Sequence, residues 1–299
     1  MMAAISNNKL RGQMKFNEPM SKHTSWRIGG VADQFYTPAD INDLADLLMS
    51  LPANENLLWL GLGSNLLVRD GGIRGTVIAL KGSLSDMQLL DDYCVEVGAG
   101  ASCAKLARFC SKNNLIGGEF FAGIPGLLGG ALAMNAGAFG GETWRYVSSV
   151  TTVNKQGELR VRKPDEYAIA YRNVTGPENE WFVSAVLKFE QGNGEQAAVK
   201  IRSMLDKRSE SQPSGLPSCG SVFRNPQGDY AARLIEESGL KGFRMGAAVV
   251  SEKHANFIIN TGDATAKDVE ELIMYVQKTV QEKQGVCLKT EVKIVGEFA

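Results

Sequence analysis

The setting of Ser221 suggests chemistry first. It lies in Cys219-Gly220-Ser221-Val222-Phe223-Arg224-Asn225-Pro226, a short loop with glycine before it and proline after it, where a hydroxyl can be held at a fixed angle. An esterase elbow needs G-x-S-x-G, but Phe223 occupies the last glycine position and no histidine lies close in sequence to act as a base. A serine beside a bound anion can instead give its proton to a carbanion or enolate as it forms, worth roughly 10²–10⁴-fold in rate. The alternative is a serine that closes an ST turn. Two other places carry charge in a pattern. Tyr171-Arg172 puts an aromatic and a cation in a polar loop, and Lys289, Glu291 and Lys293 share one side of the alternating segment Val286–Val295. A carboxylate flanked by two ammonium groups stays ionised and suits a nearby anionic ligand. A solvated loop and a solvated sheet face are the plainer readings of the two.

An anion would need a cradle. Residues 117–141 are dominated by glycine and alanine, with no charge between Glu119 and Glu142. A membrane span needs about 20 apolar residues in one helix, and Pro125 and the repeated glycines oppose that. Glycine lets backbone N–H groups approach a ligand and form a concave anion site. The stretch therefore reads as a cradle for a phosphorylated cofactor, against the alternative of a tightly packed turn. A second cradle candidate is the strand-to-turn step Leu57–Leu60 into Gly61-Leu62-Gly63-Ser64-Asn65-Leu66. Neither is a dinucleotide fingerprint, since G-x-G-x-x-G fails at Leu66 after Gly61 and Gly63, and again at Cys103 after Gly98 and Gly100. A G-x-x-x-x-G-K-[ST] loop is also missing.

Several elements must position these groups. Asp40 caps a helix with Ile41, Leu44, Leu47, Leu48 and Leu51 on one face, stopped by Pro52. Ser102 caps a helix through Asn113. Val147–Asn154 and Glu158–Arg162 form a hairpin turning at Lys155-Gln156-Gly157, followed by a strand over Trp181–Phe189. A polar helix over residues 195–210 leads to Ser211-Gln212-Pro213-Ser214-Gly215-Leu216-Pro217, the best internal boundary. Beyond it come a helix capped by Asp229 and closed by Gly239, a strand near residues 257–260, and a helix from Thr265, with Asp268 in the box position, to Gly285. The alternation of Val286–Val295 predicts one strand. Residues 1–14 are polar and aperiodic, read as a flexible N-terminus.

The chain has 299 residues, 44% of them hydrophobic, enough for two cores. Thirty-two basic against 33 acidic residues leave no field to draw nucleic acid or an anionic membrane. No h-region opens the sequence, which points to the cytoplasm. Five cysteines in dissimilar contexts read as reduced, and with His23 and His254 as the two histidines no metal site is expected.

Thr24-Ser25-Trp26-Arg27-Ile28-Gly29-Gly30, Gly61 to Val68, Gly123-Ile124-Pro125-Gly126, Asn135-Ala136-Gly137-Ala138, Tyr171-Arg172, Gly220 to Pro226, His254-Ala255-Asn256-Phe257 and Thr290-Glu291-Val292 occur together and in order. From about residue 15 to its last residue the chain resembles the UDP-N-acetylenolpyruvoylglucosamine reductase family, flavoenzymes that complete UDP-N-acetylmuramate for peptidoglycan. It is similar to the shorter subclass, which lacks a tyrosine-bearing loop over the sugar nucleotide.

The resemblance implies an α+β chain with an FAD-binding fold of the vanillyl-alcohol-oxidase type. FAD would lie between two subdomains, about 15–80 and 81–210, with residues 211–285 as a substrate-binding domain and 286–299 as a return strand to the FAD-binding part. It implies that Gly61, Gly63, Ser64, Asn65 and Leu66, Gly123 to Gly126, Asn135, Gly137 and Arg27 contact noncovalent FAD. It further implies that NADPH reduces FAD, NADP⁺ leaves, and the enolpyruvyl ether takes hydride at its β-carbon. Ser221 would then protonate the α-carbon, with Arg172 and Glu291 beside the substrate carboxylate. Tyr171, Arg224 and Asn225 would contact the carboxylate end or the UDP phosphates. No obligate protein partner is implied. Two alternatives stay open: an FAD enzyme of this fold acting on another alcohol or sugar, and a flavin- or nucleotide-binding protein without turnover.

Overall fold

The structure, a computed structural model, describes residues 10–299, so residues 1–9 of the expected flexible N-terminus lie outside the described residues. A strand begins at Gln13. Among the described residues the α-helices are, in chain order, α1 (Ile41–Ser50), α2 (Cys103–Lys112), α3 (Leu128–Ala133), α4 (Gly194–Ser211), α5 (Ala231–Glu237) and α6 (Ala266–Gln284). Contacts group the chain into two units. Among the described residues, unit 1 takes 10–15, Gln34–Gly61 and Gly75–Asp206; unit 2 takes Phe16–Asp33, Leu62–Arg74 and Lys207–Ala299.

Unit 1 is built on an antiparallel sheet of five strands in the order Leu159–Arg162, Val147–Asn154, Glu180–Lys188, Cys94–Gly98 and Met87–Leu89. β-branched residues suit a half-buried pleat, and Val95, Val97, Val150, Ala185 and Leu187 join Leu106, Phe121, Leu128 and Leu132 in one core. The expected hairpin forms. Asn154 Oδ1 accepts the Gln156 and Glu158 N–H groups at 3.0 and 2.9 Å, and Gly157 takes the left-handed conformation at φ 75°. Leu57–Leu60 pairs in parallel with the strand Ile73–Ala79. Asp40 caps α1, accepting the Asp43 N–H at 3.0 Å. Ser102 holds the N-cap position of α2 without a side-chain capping bond; the Gly126 carbonyl accepts the Cys103 N–H at 3.0 Å instead. The central glycine stretch thus closes the start of α2. It forms a 3₁₀ turn over Glu119–Gly123 and then α3.

In unit 2, α5 and α6 share a core with the strands Ala248–Val250 and Ile258–Asn260, together with Trp26, Ile28 and Leu67 from early in the chain. Thr265 and Asp268 make the expected capping box of α6, and Gly285 ends it at φ 71°. Two expectations need correction. Tyr230, not Asp229, is the N-cap of α5. Asn225 Oδ1 supplies a bond to the Ala231 N–H at 3.1 Å, while the Asp229 carboxylate pairs with Arg233 one turn on. The final segment is not one strand: only Lys293–Val295 is a ladder, parallel to the strand Leu66–Val68, and Thr290 makes an isolated bridge to Phe223. Its alternation still reports burial, with Leu288 and Val292 inward, because one side packs on the core while hydrogen bonds go to different neighbours.

Candidate active site

The expected site residues fall into two sets, one in each unit. In unit 1, Ala168–Ala170 and Asn173–Thr175 pair as a hairpin whose two-residue turn is Tyr171-Arg172. The polar loop expected there is therefore a tight turn, with Arg172 at φ 53°. Arg172 Nη2 donates to the Gly137 carbonyl at 2.9 Å and Nη1 to that of Asn135 at 3.4 Å, with the guanidinium over the Tyr171 ring at 4.9 Å. Asn135 is buried in a left-handed conformation. Its side chain donates to the Glu142 carboxylate and the Ala170 carbonyl, and accepts the Trp144 N–H. Gly137 cannot be replaced without movement, since a Cβ would sit 2.3 Å from the Gly141 carbonyl oxygen. Asn135, Gly137, Tyr171 and Arg172 are thus brought together, with the Asn135 side chain turned inward.

A cavity of about 300 Å³ lies beside α3 in the same unit, lined by Gly61, Gly129, Gly130, Trp59, Tyr167 and Trp181 among others. The Trp59 and Trp181 rings stack 5.2 Å apart. Trp59 Nε1 and Tyr167 Oη are buried and lack a hydrogen-bond partner among the described residues. Burial pushes the Tyr167 phenol up to about 12, so it stays a neutral donor near pH 7. Apolar rings, two donors awaiting an acceptor and a glycine rim suit a flat, polar-edged ring, and a ring of FAD fits that description. In the central glycine stretch, the first expected cradle, Ile124 is buried and Pro125 exposed. The Gly126 N–H turns back to Ile124, and a Cβ on Gly123 would strike the Phe139 ring at 2.6 Å. Sequence reading missed the cavity aromatics, because a buried aromatic in a strand looks like any core residue.

Unit 2 carries the other set. Gly63 turns at φ 61°, with a Cβ there lying 2.1 Å from the His23 carbonyl oxygen, so glycine is required. Its carbonyl accepts the Ser25 N–H at 3.1 Å, which packs the Thr24–Ile28 turn, with exposed Arg27 at φ 59°, against it. The Cys219 thiol reaches the Gly63 and Leu66 carbonyls at 3.5 and 3.4 Å; burial pushes it up to about 12, so it remains a protonated donor. Asn65 Nδ2 donates to the Glu291 carbonyl at 3.1 Å, and its own carbonyl accepts the Lys293 N–H at 3.0 Å. Ser64 and Ser221 are half-buried, and Ser221 follows Gly220 at φ 71°. The next carbonyl, that of Val222, accepts the Glu291 N–H at 2.7 Å. The Arg224 N–H bonds the Lys289 carbonyl at 2.9 Å, while its Nε is buried without a partner among the described residues, a donor poised for an anion. Asn225, expected at the substrate, also closes α5. The turn holding Asn65, the loop holding Ser221 and the segment holding Glu291 are therefore hydrogen-bonded to one another.

Comparisons with known proteins place the chain among its relatives. Residues 32–162 match the family model described as "FAD binding domain", and residues 212–295 the one described as "UDP-N-acetylenolpyruvoylglucosamine reductase, C-terminal domain". The chain is 56% identical over 288 residues to the UDP-N-acetylenolpyruvoylglucosamine reductase of Legionella pneumophila (strain Corby), covering 96% of this chain and 94% of that one. It is 55% identical over 296 residues to the reductase of the same name from Alkalilimnicola ehrlichii, covering 99% of each. Among solved structures, UDP-N-acetylenolpyruvylglucosamine reductase from Thermus caldophilus superposes with a TM-score of 0.81 at 32% identity, over 95% of this chain and 99% of that one. With nearly its whole length matched at such identity, and with the α+β FAD-binding fold of the vanillyl-alcohol-oxidase type, the chain belongs to the UDP-N-acetylenolpyruvoylglucosamine reductase family of FAD-dependent oxidoreductases.

Proposed function

We propose that the protein reduces the enolpyruvyl group of UDP-N-acetylglucosamine enolpyruvate to UDP-N-acetylmuramate, with NADPH as donor, in cytoplasmic peptidoglycan synthesis for the cell wall. The observation that carries this is the 2.7 Å bond from the Glu291 N–H to the Val222 carbonyl, which puts the acid-bearing segment directly beside the Ser221 loop. Ser221 gives its proton to the α-carbon as hydride, given up by NADPH in the earlier step that releases NADP⁺, arrives at the β-carbon, so the double bond becomes a single bond. The Arg172 guanidinium, preorganised by two carbonyls, takes up charge developing on the substrate carboxylate. Glu291 orients that end of the substrate or shares a proton there. Tyr171, Arg224 and Asn225 bind the carboxylate end or the UDP phosphates.

FAD, held noncovalently, would supply a two-electron carrier between NADPH and the enolpyruvyl double bond. Gly61, Gly63, Ser64, Asn65 and Leu66, with Gly123 to Gly126, Asn135, Gly137 and Arg27, hold it in this reading. The orphaned donors of Trp59 and Tyr167 support that, and His23 is engaged with Glu18 at 2.9 Å. Residues 15–210 then carry the cofactor and residues 211–285 the substrate, with 286–299 returning beside Leu66–Val68. No helix among the described residues is long and apolar enough to cross a membrane.

The test is an anaerobic visible spectrum. A yellow protein bleached by NADPH and re-coloured by the enolpyruvyl sugar is expected, and Ser221→Ala should keep its FAD and its bleaching while re-colouring falls by roughly 10²–10⁴-fold. A protein that takes up no FAD, or one bleached but never re-coloured, removes the cofactor or the substrate respectively.

A further inference from the structure

The His254-Ala255-Asn256-Phe257 motif has no part in the chemistry above, yet Asn256 is almost wholly buried against the Ser221 loop. Its backbone carbonyl accepts the Val222 N–H at 2.9 Å. Its side-chain Oδ1 accepts the Phe223 N–H at 2.9 Å, and Nδ2 donates to the Phe223 carbonyl at 2.8 Å. An amide side chain that engages both the N–H and the C=O of one residue imitates a paired strand and fixes the backbone on either side of it. The Asn256 N–H donates in turn to His254 Nδ1 at 3.3 Å, so the two polar residues of the motif brace each other.

Val222 passes the constraint on. Held at its N–H by Asn256, it accepts the Glu291 and Val292 N–H groups at its carbonyl, at 2.7 and 3.3 Å. At the other end of the loop the Cys219 thiol is fastened to the carbonyls of Gly63 and Leu66. Ser221 and its left-handed neighbour Gly220 are thereby anchored on both flanks, with the tighter anchor immediately after the serine.

We infer that Asn256 is the positioning residue for the proton-transfer step: it holds Ser221, and through the Val222 carbonyl Glu291, in fixed register, acting on the reaction through the loop. The inference rests on the reading of Ser221 as proton donor. Displacement of a reacting group by an ångström can cost about 10²-fold in rate, so the loss should fall on the step that uses Ser221 and spare the one that does not.

Anaerobic stopped-flow on FAD-loaded wild type, Asn256→Ala, Asn256→Asp, Ser221→Ala and the Asn256→Ala/Ser221→Ala double variant separates NADPH bleaching from re-colouring by the enolpyruvyl sugar. Both Asn256 variants should bleach within about twofold of wild type and keep KM for the sugar within about threefold, while the maximal re-colouring rate drops by about 10–100-fold. Asn256→Asp keeps the shape and the acceptor for the Phe223 N–H but turns an oxygen toward the Phe223 carbonyl, so it should slow re-colouring as well, and it keeps the test available if Asn256→Ala does not fold. Adding Asn256→Ala to Ser221→Ala should cost clearly less than the full Asn256 factor, since only the hold on Glu291 is left to lose, a non-additivity that general destabilisation does not produce. Equal slowing of both half-reactions, or a double variant slower by the full Asn256 factor, overturns the positioning role. Unchanged re-colouring in the Asn256 variants beside a slow Ser221→Ala overturns that role alone, whereas a Ser221→Ala protein re-colouring at the wild-type rate overturns the proton-donor reading and this one with it.

Discussion

Gly63 and Gly130 show two different reasons for glycine. At Gly63 both conformation and space exclude a side chain, since φ is 61° and a Cβ would meet the His23 carbonyl oxygen at 2.1 Å. At Gly130, inside α3 and on the cavity wall, a Cβ would meet nothing within 4 Å and the backbone is not left-handed. A glycine in a helix costs about 0.5–1 kcal/mol relative to alanine, so Gly130→Ala should raise the Tm of the FAD-free protein. The same substitution should weaken FAD binding by roughly tenfold, about 1.4 kcal/mol, measured by fluorescence titration. Unchanged affinity would remove Gly130 from the cofactor's surroundings. At this scale the sequence marked the residue types and missed their partners. Ser221, Arg172 and Glu291 stood out by context, but nothing local revealed that Asn256 grips the loop 33 residues before it or that Asn65 reaches a carbonyl 226 residues later. Asn135 had its location read without its direction, because a side chain turned inward onto Glu142 and Trp144 has no signature in neighbouring residue types.

Elements whose ends are made by nearby residues were legible, and those completed by distant ones were not. α6 was readable at both ends because Thr265, Asp268 and Gly285 act locally. Its N-terminus also has a third acceptor that no local pattern shows: the Asp70 carboxylate takes the Ala266 and Lys267 N–H groups at 2.9 and 3.0 Å across 196 and 197 residues. Satisfying free N–H groups with a carboxylate at the positive end of the helix is worth about 1–2 kcal/mol. Asp70→Ala should therefore lower the unfolding free energy by that amount, read as a lower urea midpoint with an unchanged m-value, and Asp70→Asn, which keeps one acceptor but loses the charge, should lose less. No change in midpoint would mean that Thr265 and Asp268 suffice. The opposite case is Val286–Val295, where alternation gave the buried side correctly but the ladder breaks up because its neighbours are a loop, a bridge and a short strand in turn.

For the molecule as a whole, the Pro/Ser/Gly stretch at residues 211–217 carries a visible boundary signal, but nothing in composition ties residues 16–33 or 62–74 to residues 207–299. That tie is made by packing. Trp26 is fully buried, donates through Nε1 to the Ile258 carbonyl at 2.7 Å and accepts from Asn260 at 2.9 Å, and Leu67 lies in the same core. Removing one buried tryptophan side chain costs about 3–5 kcal/mol, a large share of the roughly 5–15 kcal/mol available to a domain. Residues 207–299 expressed alone should consequently give a collapsed amide spectrum in two-dimensional NMR, and a well-dispersed one would show that the late segment closes its own core.

Unit 2 draws on both early and late parts of the chain, and this sets a timetable for its birth on the ribosome. Trp26, Ile28 and Leu67 emerge long before the helices and strands that bury them. Between Arg74 and Lys207 some 130 residues must still be made, at about 5–20 per second, so these side chains wait on the order of ten seconds for their companions. Through that interval a nascent chain exposes an indole and two aliphatic groups that the finished protein hides, which makes residues 16–33 and 62–74 the segments where a holdase chaperone would find its binding site.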